Sequence, residues 1–311
     1  MPSKGHLLSN IARAAGWIIP YRIFLRLKYI AEARTREKLA STIERERNLV
    51  RPNTDLRNLF PGKRCFLLCN GPTVSKQNLL PLADEIVISV SNGYRHPDFA
   101  IFKPHYHCIP QLTYSTLFKE ENAVRWFAEM HDRIGDAELF LSATEEPLVR
   151  KHGLFPGRRI HYIFLHESFD EISDRDIPDL ALPAPRVESV SIMGTMIAMY
   201  LGFSDIYLLG TEHDQFVTGR YTYFFERGPL QSTDPDVASD GKVLTPRYDE
   251  FHQLVRLWKQ YRKLKEIAAN NDVKIWNATA GGELDEFPRV ELSSLFASGR
   301  ETLEQPSSGP Q

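Results

Sequence analysis

Short runs of consecutive apolar residues recur along this chain, and stretches with the spacing of amphipathic helices lie between many of them. The apolar runs predict strands at residues 64–70, 85–92, 104–110, 137–143, 159–165, 205–210 and 274–279. The helical patterns cover residues 120–134, 147–152, 189–202 and 248–270. Apolar runs without polar alternation are typical of strands that are buried on both faces. The pattern therefore predicts an α/β fold, with a Rossmann-like, mostly parallel sheet and helices on both faces.

Two segments lack this periodicity. Residues 167–186 are acidic and rich in proline, and residues 211–247 combine aromatic residues with Gly, Pro and Asp. Long irregular loops within a compact domain are usually functional, so we expect a lid-like insertion at 211–247. The last residues are rich in Pro, Ser and Gly, which predicts disorder. We therefore divide the chain into a helical extension (1–50), a Rossmann-like domain (51–296) and a disordered tail (297–311).

Residues 1–28 have a basic amphipathic pattern. Every charged residue among them is Lys or Arg, and Leu, Ile, Phe and Trp lie between these charges. Helices that lie on anionic membranes use these residue types, so the pattern indicates peripheral membrane contact. The alternative is a helix that packs on the domain or on a second subunit of a homo-oligomer. The apolar piece at 16–20 is short and ends in proline, so we expect no secretory signal.

Composition and charge exclude some classes of partner. Hydrophobic residues make up 42% of the chain and charged residues 25%, as in ordinary globular proteins. The formal net charge is -2 and the isoelectric point is 6.6, so no global basic field attracts nucleic acid. Cys65 and Cys69 lie about 13 Å apart along one predicted strand and cannot pair. Together with Cys108 they fit buried thiols of a reducing compartment, which predicts a cytoplasmic protein.

The first candidate functional segment is the turn Asn70-Gly71-Pro72-Thr73, which follows the first predicted strand. Gly71 lets a ligand approach the backbone, Pro72 stiffens the turn, and the two flanking residues supply polar side chains. Asn92 repeats this chemistry after the next strand. Because ligands bind beyond the carboxyl ends of parallel strands, the arrangement predicts a nucleotide site. The alternative is a plain tight turn, for which Asn-Gly and Gly-Pro are common dipeptides.

The second candidate is the start of the helix predicted at 189–202. Ser191, Gly194 and Thr195 place small side chains there. The backbone N–H groups and the dipole at a helix start favour phosphate or carboxylate groups, so this segment predicts an anion site. The alternative is that the serines only cap the helix.

The third candidate follows the strand predicted at 205–210. Glu212 and Asp214 flank His213, a set that suits either proton transfer or a divalent cation. Tyr221, further along, is a donor suited to phosphate oxygens. His252, near the start of the last long helix, is the second candidate for a catalytic base. The alternative is a solvated acidic loop.

These segments together resemble a known family. Together with Asn92, the runs CFLLCNGPTVSKQNLLPLAD (65–84), SVSIMGTMIAMYLGFSDIYLLGTEHD (189–214) and NATAGGELDEFPRV (277–290) resemble the MptE-like family. Its archaeal members are 6-hydroxymethylpterin diphosphokinases, and its bacterial relatives are associated with surface polysaccharides and flagellar glycosylation. The first two runs also resemble the bacterial sialyltransferases that modify lipooligosaccharides with CMP-activated sialic acid. The similarity covers residues 64–296.

The resemblance to the sialyltransferases implies roles for single residues. The turn at 70–73 and Asn92 would contact the cytidine nucleotide, Gly194 would touch the donor, and Tyr221 would bind the phosphate. The sequence also departs from that family. Met193 stands where the family has a serine, Ile109 replaces an asparagine before proline, and no histidine aligns with the general base.

From these residues and the resemblance we expect a nucleotide-dependent transferase in bacterial surface-glycan assembly. It would transfer a CMP-activated, sialic-acid-like sugar to a glycan or small hydroxyl acceptor without a metal, at the inner face of the membrane if residues 1–28 bind there. One alternative is a diphosphokinase that moves pyrophosphate from ATP to a hydroxymethyl group, with Mg²⁺ held by Glu212 and Asp214. The other is a non-catalytic scaffold of a glycan-assembly complex.

Overall fold

The computed structural model describes residues 40–109, 111–112, 119–226, 238 and 240–299. The chain divides into two units between Asn48 and Leu49. A helix covers residues 40–50, and a 3-10 helix follows at Arg51–Leu56 with proline in its first turn. The basic amphipathic segment predicted at 1–28 lies outside the described residues. The backbone remains in a 3-10 helix through residue 299, and the rest of the predicted tail also lies outside.

Seven strands of the described residues form one parallel sheet. Their bounds are β1 (Arg64–Leu68), β2 (Val87–Val90), β3 (Tyr106–Cys108), β4 (Glu138–Ser142), β5 (Ile160–Ile163), β8 (Asp205–Leu209) and β9 (Lys274–Asn277). Two short strands between β5 and β8 form a separate parallel pair, β6 (Leu165–Glu167) and β7 (Ala184–Pro185). The predicted Rossmann-like α/β fold class is confirmed, since the sheet is parallel and flanked by helices.

In the described part of the chain, six α-helices lie between the strands of the large sheet. They are α1 (Phe99–Phe102), α2 (Glu120–Arg133), α3 (Glu146–His152), α4 (Val190–Tyr200), α5 (Gln215–Thr218) and α6 (Arg247–Asn270). Further 3-10 turns lie at Pro72–Lys76, Leu80–Asp84, Gly93–Arg95, Ala143–Glu145 and Leu292–Gly299. Within the described part of the chain, no helix has both the length and the apolar character needed to cross a membrane.

The core consists of two apolar layers, one on each face of the sheet. Cys65 and Leu67 of β1 belong to the layer beneath α4 and α6, whereas Phe66 and Leu68 belong to the layer beneath α2. This alternation explains the uninterrupted apolar run, because both faces of a parallel strand are covered. Gly194 brings α4 close to β1, since a Cβ there would lie 2.5 Å from Leu67 Cδ1.

The strand order places a topological switch point at β1. The order across the sheet is β5-β4-β3-β2-β1-β8-β9, so β2 to β5 follow β1 on one side and β8 pairs with its other edge. In open parallel sheets, ligands bind where the strand order reverses, beyond the carboxyl ends of the strands. The residues after β1 and β8 are therefore the first place to look for a site.

Candidate functional site

A cavity of about 210 Å³ lies at this switch point. The residues after β1 and β2, the start of α4, the segment after β8 and part of the following loop line it: Cys69, Asn70, Gly71, Pro72, Val90, Ser91, Ser189, Val190, Ser191, Gly210, Thr211, Glu212, His213, Asp214, Gln215, Arg220, Tyr221, Thr222 and Tyr223. The three candidate segments of the sequence are thus brought together. Pockets that enclose drug-sized ligands typically measure about 300–1,000 Å³, so this cavity encloses a smaller group.

Glycines at the ends of β1 and β8 shape the floor of the cavity. The N–H of Gly71 donates to the carbonyl oxygen of Gly210 over 3.0 Å, which extends the contact between the strands beyond the sheet. Gly210 has a φ of +68°, and a Cβ there would lie 2.5 Å from Val74 Cγ2. A side chain at that position would be strained and would clash.

Glu212 holds the turn after β1 in place. Its Oε1 accepts hydrogen bonds from the backbone N–H of Thr73 over 2.8 Å and from Thr73 Oγ1 over 2.6 Å. The carboxylate occupies the space that a side chain at Gly71 would need, since a Cβ there would lie 1.4 Å from Glu212 Oε2. Gly282, with a φ of +79°, lies against the backbone of Glu212 in the same way. The residue therefore contacts the predicted nucleotide turn directly.

Two residues that line the cavity each have a buried acceptor atom without a donor among the described residues. Asn70 Oδ1 and Glu212 Oε2 are both inaccessible and lack a hydrogen-bond partner among the described residues. Leaving a buried acceptor unsatisfied typically costs about 1–3 kcal/mol. Such atoms are accounted for when a ligand supplies the donor.

His213 is held in one orientation at the cavity wall. Its Nε2 lies 2.7 Å from the hydroxyl of Tyr261, and its ring packs against Trp258 and Tyr261. Burial lowers its pKa to about 4, because the desolvated ring disfavours the charged form. The imidazole is therefore neutral at neutral pH, which is the state a general base needs.

Tyr261 continues this contact to the start of α4. Its hydroxyl is fully buried and lies 2.6 Å from Ser191 Oγ, which lies 2.7 Å from Ser189 Oγ. Sequence reasoning missed Tyr261, because it lies 48 residues after His213 on the apolar face of α6. Its spacing from the core residues Leu257 and Leu264 predicts packing rather than a site.

The start of α4 and the loop at 220–223 also line the cavity. Ser189 caps α4 and accepts from the N–H of Ser191, so the positive end of this helix dipole faces the cavity. Arg220 also lines the cavity, where it donates to the carbonyl oxygen of Asp240 over 3.1 Å and lies 3.6 Å from the Asp240 carboxylate. The backbone N–H of Tyr221 donates to the carbonyl oxygen of Gly241 over 2.8 Å. Of these groups, the start of α4 suits an anion.

Two polar residues follow β2, and of these Ser91 lines the cavity whereas Asn92 is buried against Trp126. The Oδ1 of Asn92 is buried and accepts from Trp126 Nε1 over 2.8 Å. Ser91 lines the cavity, with a φ of +48°. His107 fixes it, because its Nε2–H donates to the carbonyl oxygen of Ser91 over 3.0 Å while its Nδ1 accepts from Ser89 Oγ over 2.7 Å. Burial lowers the pKa of His107 to about 3.

Several other predicted site residues lie at the edge of the cavity or away from it. Gly194 contacts Leu67, and Thr195 Oγ1 donates to the carbonyl oxygen of Ser191 over 2.8 Å, both in the core. His252 is exposed on α6, where its ring contacts Tyr248. Asp214 lines the cavity, but no group of three or more His, Cys, Asp or Glu residues within the described ranges could hold a metal ion.

The similarity of this chain to known proteins is limited to solved structures of low sequence identity. No protein-family model matches the chain, and neither does any curated protein. The similar solved structures include two glycosyltransferases.

The MAf glycosyltransferase from Magnetospirillum magneticum AMB-1 is 17% identical, with a TM-score of 0.47. That match covers 81% of this chain and 39% of the other, so the chain spans less than half of that protein's length. The sialyltransferase CstII from Campylobacter jejuni, in complex with cytidine-5'-monophosphate, is 16% identical, with a TM-score of 0.42. That match covers 74% of this chain and 85% of the other.

Proposed function

We propose that this protein is a nucleotide-dependent glycosyltransferase. One observation carries the proposal: Asn70 Oδ1 and Glu212 Oε2 are buried acceptors without a partner among the described residues, whereas the start of α4 offers positive potential. A nucleotide has the complementary layout, because its nucleoside carries hydroxyl and amino donors and its phosphate carries acceptor oxygens. The cavity volume is suited to the nucleoside part, so the transferred group would lie towards the loop at 220–223.

The donor class rests on the sequence. The resemblance of residues 65–84 and 189–214 to bacterial sialyltransferases supports a CMP-activated, sialic-acid-like sugar and a role in surface-glycan assembly. The leaving group would then be a nucleotide monophosphate, whose charge the start of α4, Arg220 and Tyr221 would stabilise without a metal.

In the proposed reaction, the neutral imidazole of His213 acts as the general base. It would take the proton from an acceptor hydroxyl as the acceptor oxygen attacks the anomeric carbon of the sugar. The bond between that carbon and the phosphate oxygen breaks, and the phosphate leaves towards the start of α4. Asp214 would support the base from the neighbouring position, and Glu212 would keep the nucleotide turn in place.

Calorimetric titration with CMP, CTP, UDP, GDP and ATP, each with and without Mg²⁺, tests the proposal. We expect CMP and CTP to bind without metal and to bind more weakly to Asn70→Ala. Preferential binding of ATP with Mg²⁺ would favour the diphosphokinase, in which Glu212 and Asp214 hold the ion. Absence of binding to every nucleotide would favour the scaffold and overturn the proposal.

A further inference from the structure

His213, Tyr261, Ser191 and Ser189 form one continuous hydrogen-bonded chain. The three contacts, in that order, measure 2.7, 2.6 and 2.7 Å, all within the normal range for hydrogen bonds. Three of the four residues line the cavity, and Tyr261 connects them through the core. The chain therefore leaves the cavity at the base candidate and returns to it at the start of α4.

We propose that Tyr261 and Ser191 are positioning residues that hold His213 and connect it to Ser189 as a path for protons. The proposal rests on the proposed function, because it routes the acceptor's proton to the leaving phosphate.

The proposed path conserves the number of protons, because one proton enters at His213 and one leaves at Ser189. Before transfer, His213 Nε2–H donates to Tyr261, Tyr261 donates to Ser191, and Ser191 donates to Ser189. When Nδ1 takes the acceptor proton, the Nε2 proton moves to the Tyr261 oxygen and each hydroxyl passes its own proton onwards. Ser189 then gives one proton to the oxygen of the departing phosphate. The acceptor has lost one proton and the phosphate has gained it, while every side chain ends neutral with its hydrogen bonds reversed.

Burial of Tyr261 suits this role. The phenol is fully buried, and desolvation raises its pKa, so the hydroxyl keeps a proton between transfers. A buried hydroxyl without partners is costly, and here both of its neighbours in the path supply hydrogen bonds. The middle of the path, at the Tyr261 hydroxyl, is thereby shielded from the solvent, which would otherwise exchange the proton.

The neighbouring residue of α6 holds the other end of the path. Gln260 Oε1 accepts from the backbone N–H of Glu188 over 2.8 Å, and its Nε2 donates to the carbonyl oxygen of Arg186 over 3.0 Å. Arg256 also pairs with the Glu188 carboxylate over 2.7 Å. Glu188 directly precedes Ser189, so these contacts hold the start of α4 against α6. The same helix carries Tyr261, whose hydroxyl contacts Ser191.

Nuclear magnetic resonance of the ligand-free protein with ¹⁵N-labelled histidine tests the positioning. Tyr261→Phe should move the Nε2 resonance of His213 and change its tautomer balance, whereas Tyr200→Phe should not. Tyr200 is a matched control, since it is buried on α4 and its hydroxyl donates to the carbonyl oxygen of Asn53 over 3.0 Å. The charged and titratable side chains that line the cavity near His213 are Cys69, Glu212, Asp214, Arg220, Tyr221 and Tyr223, and none is altered. An unchanged Nε2 resonance in Tyr261→Phe would overturn the proposal.

Turnover of the nucleotide-activated donor tests the path. We expect Tyr261→Phe and Ser191→Ala each to lower kcat by roughly 10- to 100-fold, with nucleotide Kd within about twofold of the parent. Tyr200→Phe should keep the parent's kcat. Parental kcat in Tyr261→Phe, while His213→Ala is inactive, would overturn the path and leave the proposed function standing. If the parent turns over no donor, the proposed function fails, and the path fails with it.

Discussion

Asn70 and Asn92 follow neighbouring strands and carry the same side chain, yet their amide oxygens have different surroundings. Asn70 lines the cavity, and its buried Oδ1 has no donor among the described residues, whereas Asn92 Oδ1 accepts from Trp126 Nε1. A missing donor at a cavity indicates a ligand contact, and a satisfied buried pair indicates a contribution to stability. The two residues therefore offer a matched pair of substitutions.

We expect Asn70→Ala to weaken nucleotide binding by about 1–3 kcal/mol with little change in the free energy of unfolding. Asn92→Ala should instead lower the free energy of unfolding by about 1–3 kcal/mol, because it leaves Trp126 Nε1 buried without an acceptor. Calorimetric titration and urea unfolding of both variants separate the effects. Loss of affinity in a fully stable Asn92→Ala would show that this side chain reaches the nucleotide, as the sequence resemblance implies.

The low pKa of His213 predicts an unusual pH dependence of turnover. A general base works in its neutral form, and burial keeps His213 neutral down to its pKa of about 4. We therefore expect kcat to stay level below pH 6.5 and to fall only as the pH approaches 4. His213→Ala should lower kcat by about 10²- to 10⁴-fold with little change in donor affinity.

His252→Ala is the control for this prediction, because His252 is exposed on α6. A chelator should leave the reaction unchanged if it is metal-free. Activity that disappears on chelation and survives His213→Ala would instead assign Glu212 and Asp214 to a metal.

The packing of α4 on β1 makes Gly194 sensitive to a single added methyl group. A Cβ there would lie 2.5 Å from Leu67 Cδ1, and overpacking of a core typically costs about 1–3 kcal/mol. The better helix propensity of Ala returns only about 1 kcal/mol. We expect Gly194→Ala to lower the free energy of unfolding, as measured by urea unfolding.

The sign of this effect should reverse when Leu67 is truncated. In a Leu67→Ala background the added methyl group has room, so Gly194→Ala should raise the free energy of unfolding by about 1 kcal/mol. An equal loss in both backgrounds would mean that the contact with Leu67 is not the cause.

Strands and helices were easier to predict from the sequence than the contacts between residues of distant segments. The run at 205–210 and the helix at 189–202 follow from local apolar patterns, and β8 and α4 appear at those places. The cavity also lies at the predicted strand ends. Tyr261 could not be predicted as part of the site, because its partner His213 lies in a distant segment. Gly282 and Trp126 could not be predicted for the same reason, since their partners, the backbone of Glu212 and the side-chain amide of Asn92, lie far away along the chain.

At the level of the whole protein, attachment to a membrane remains a prediction, because residues 1–28 lie outside the described part of the chain. Their five basic residues have no acidic counterpart, and each basic side chain near an anionic surface contributes about 1 kcal/mol. We expect the full chain to sediment with phosphatidylglycerol vesicles at low salt, and much less with phosphatidylcholine vesicles. Screening should weaken the interaction at high salt.

Two altered proteins separate charge from the rest of the segment. A chain that lacks residues 1–28 should remain folded and stay in the supernatant with anionic vesicles. Replacing Arg22, Arg26 and Lys28 with glutamine keeps the apolar residues but should reduce sedimentation substantially, since three of the five basic charges are gone. Light scattering on the same samples addresses the alternative. If the full chain never sediments but is a dimer, and the shortened chain is a monomer, the segment packs against a second subunit and the membrane prediction is wrong.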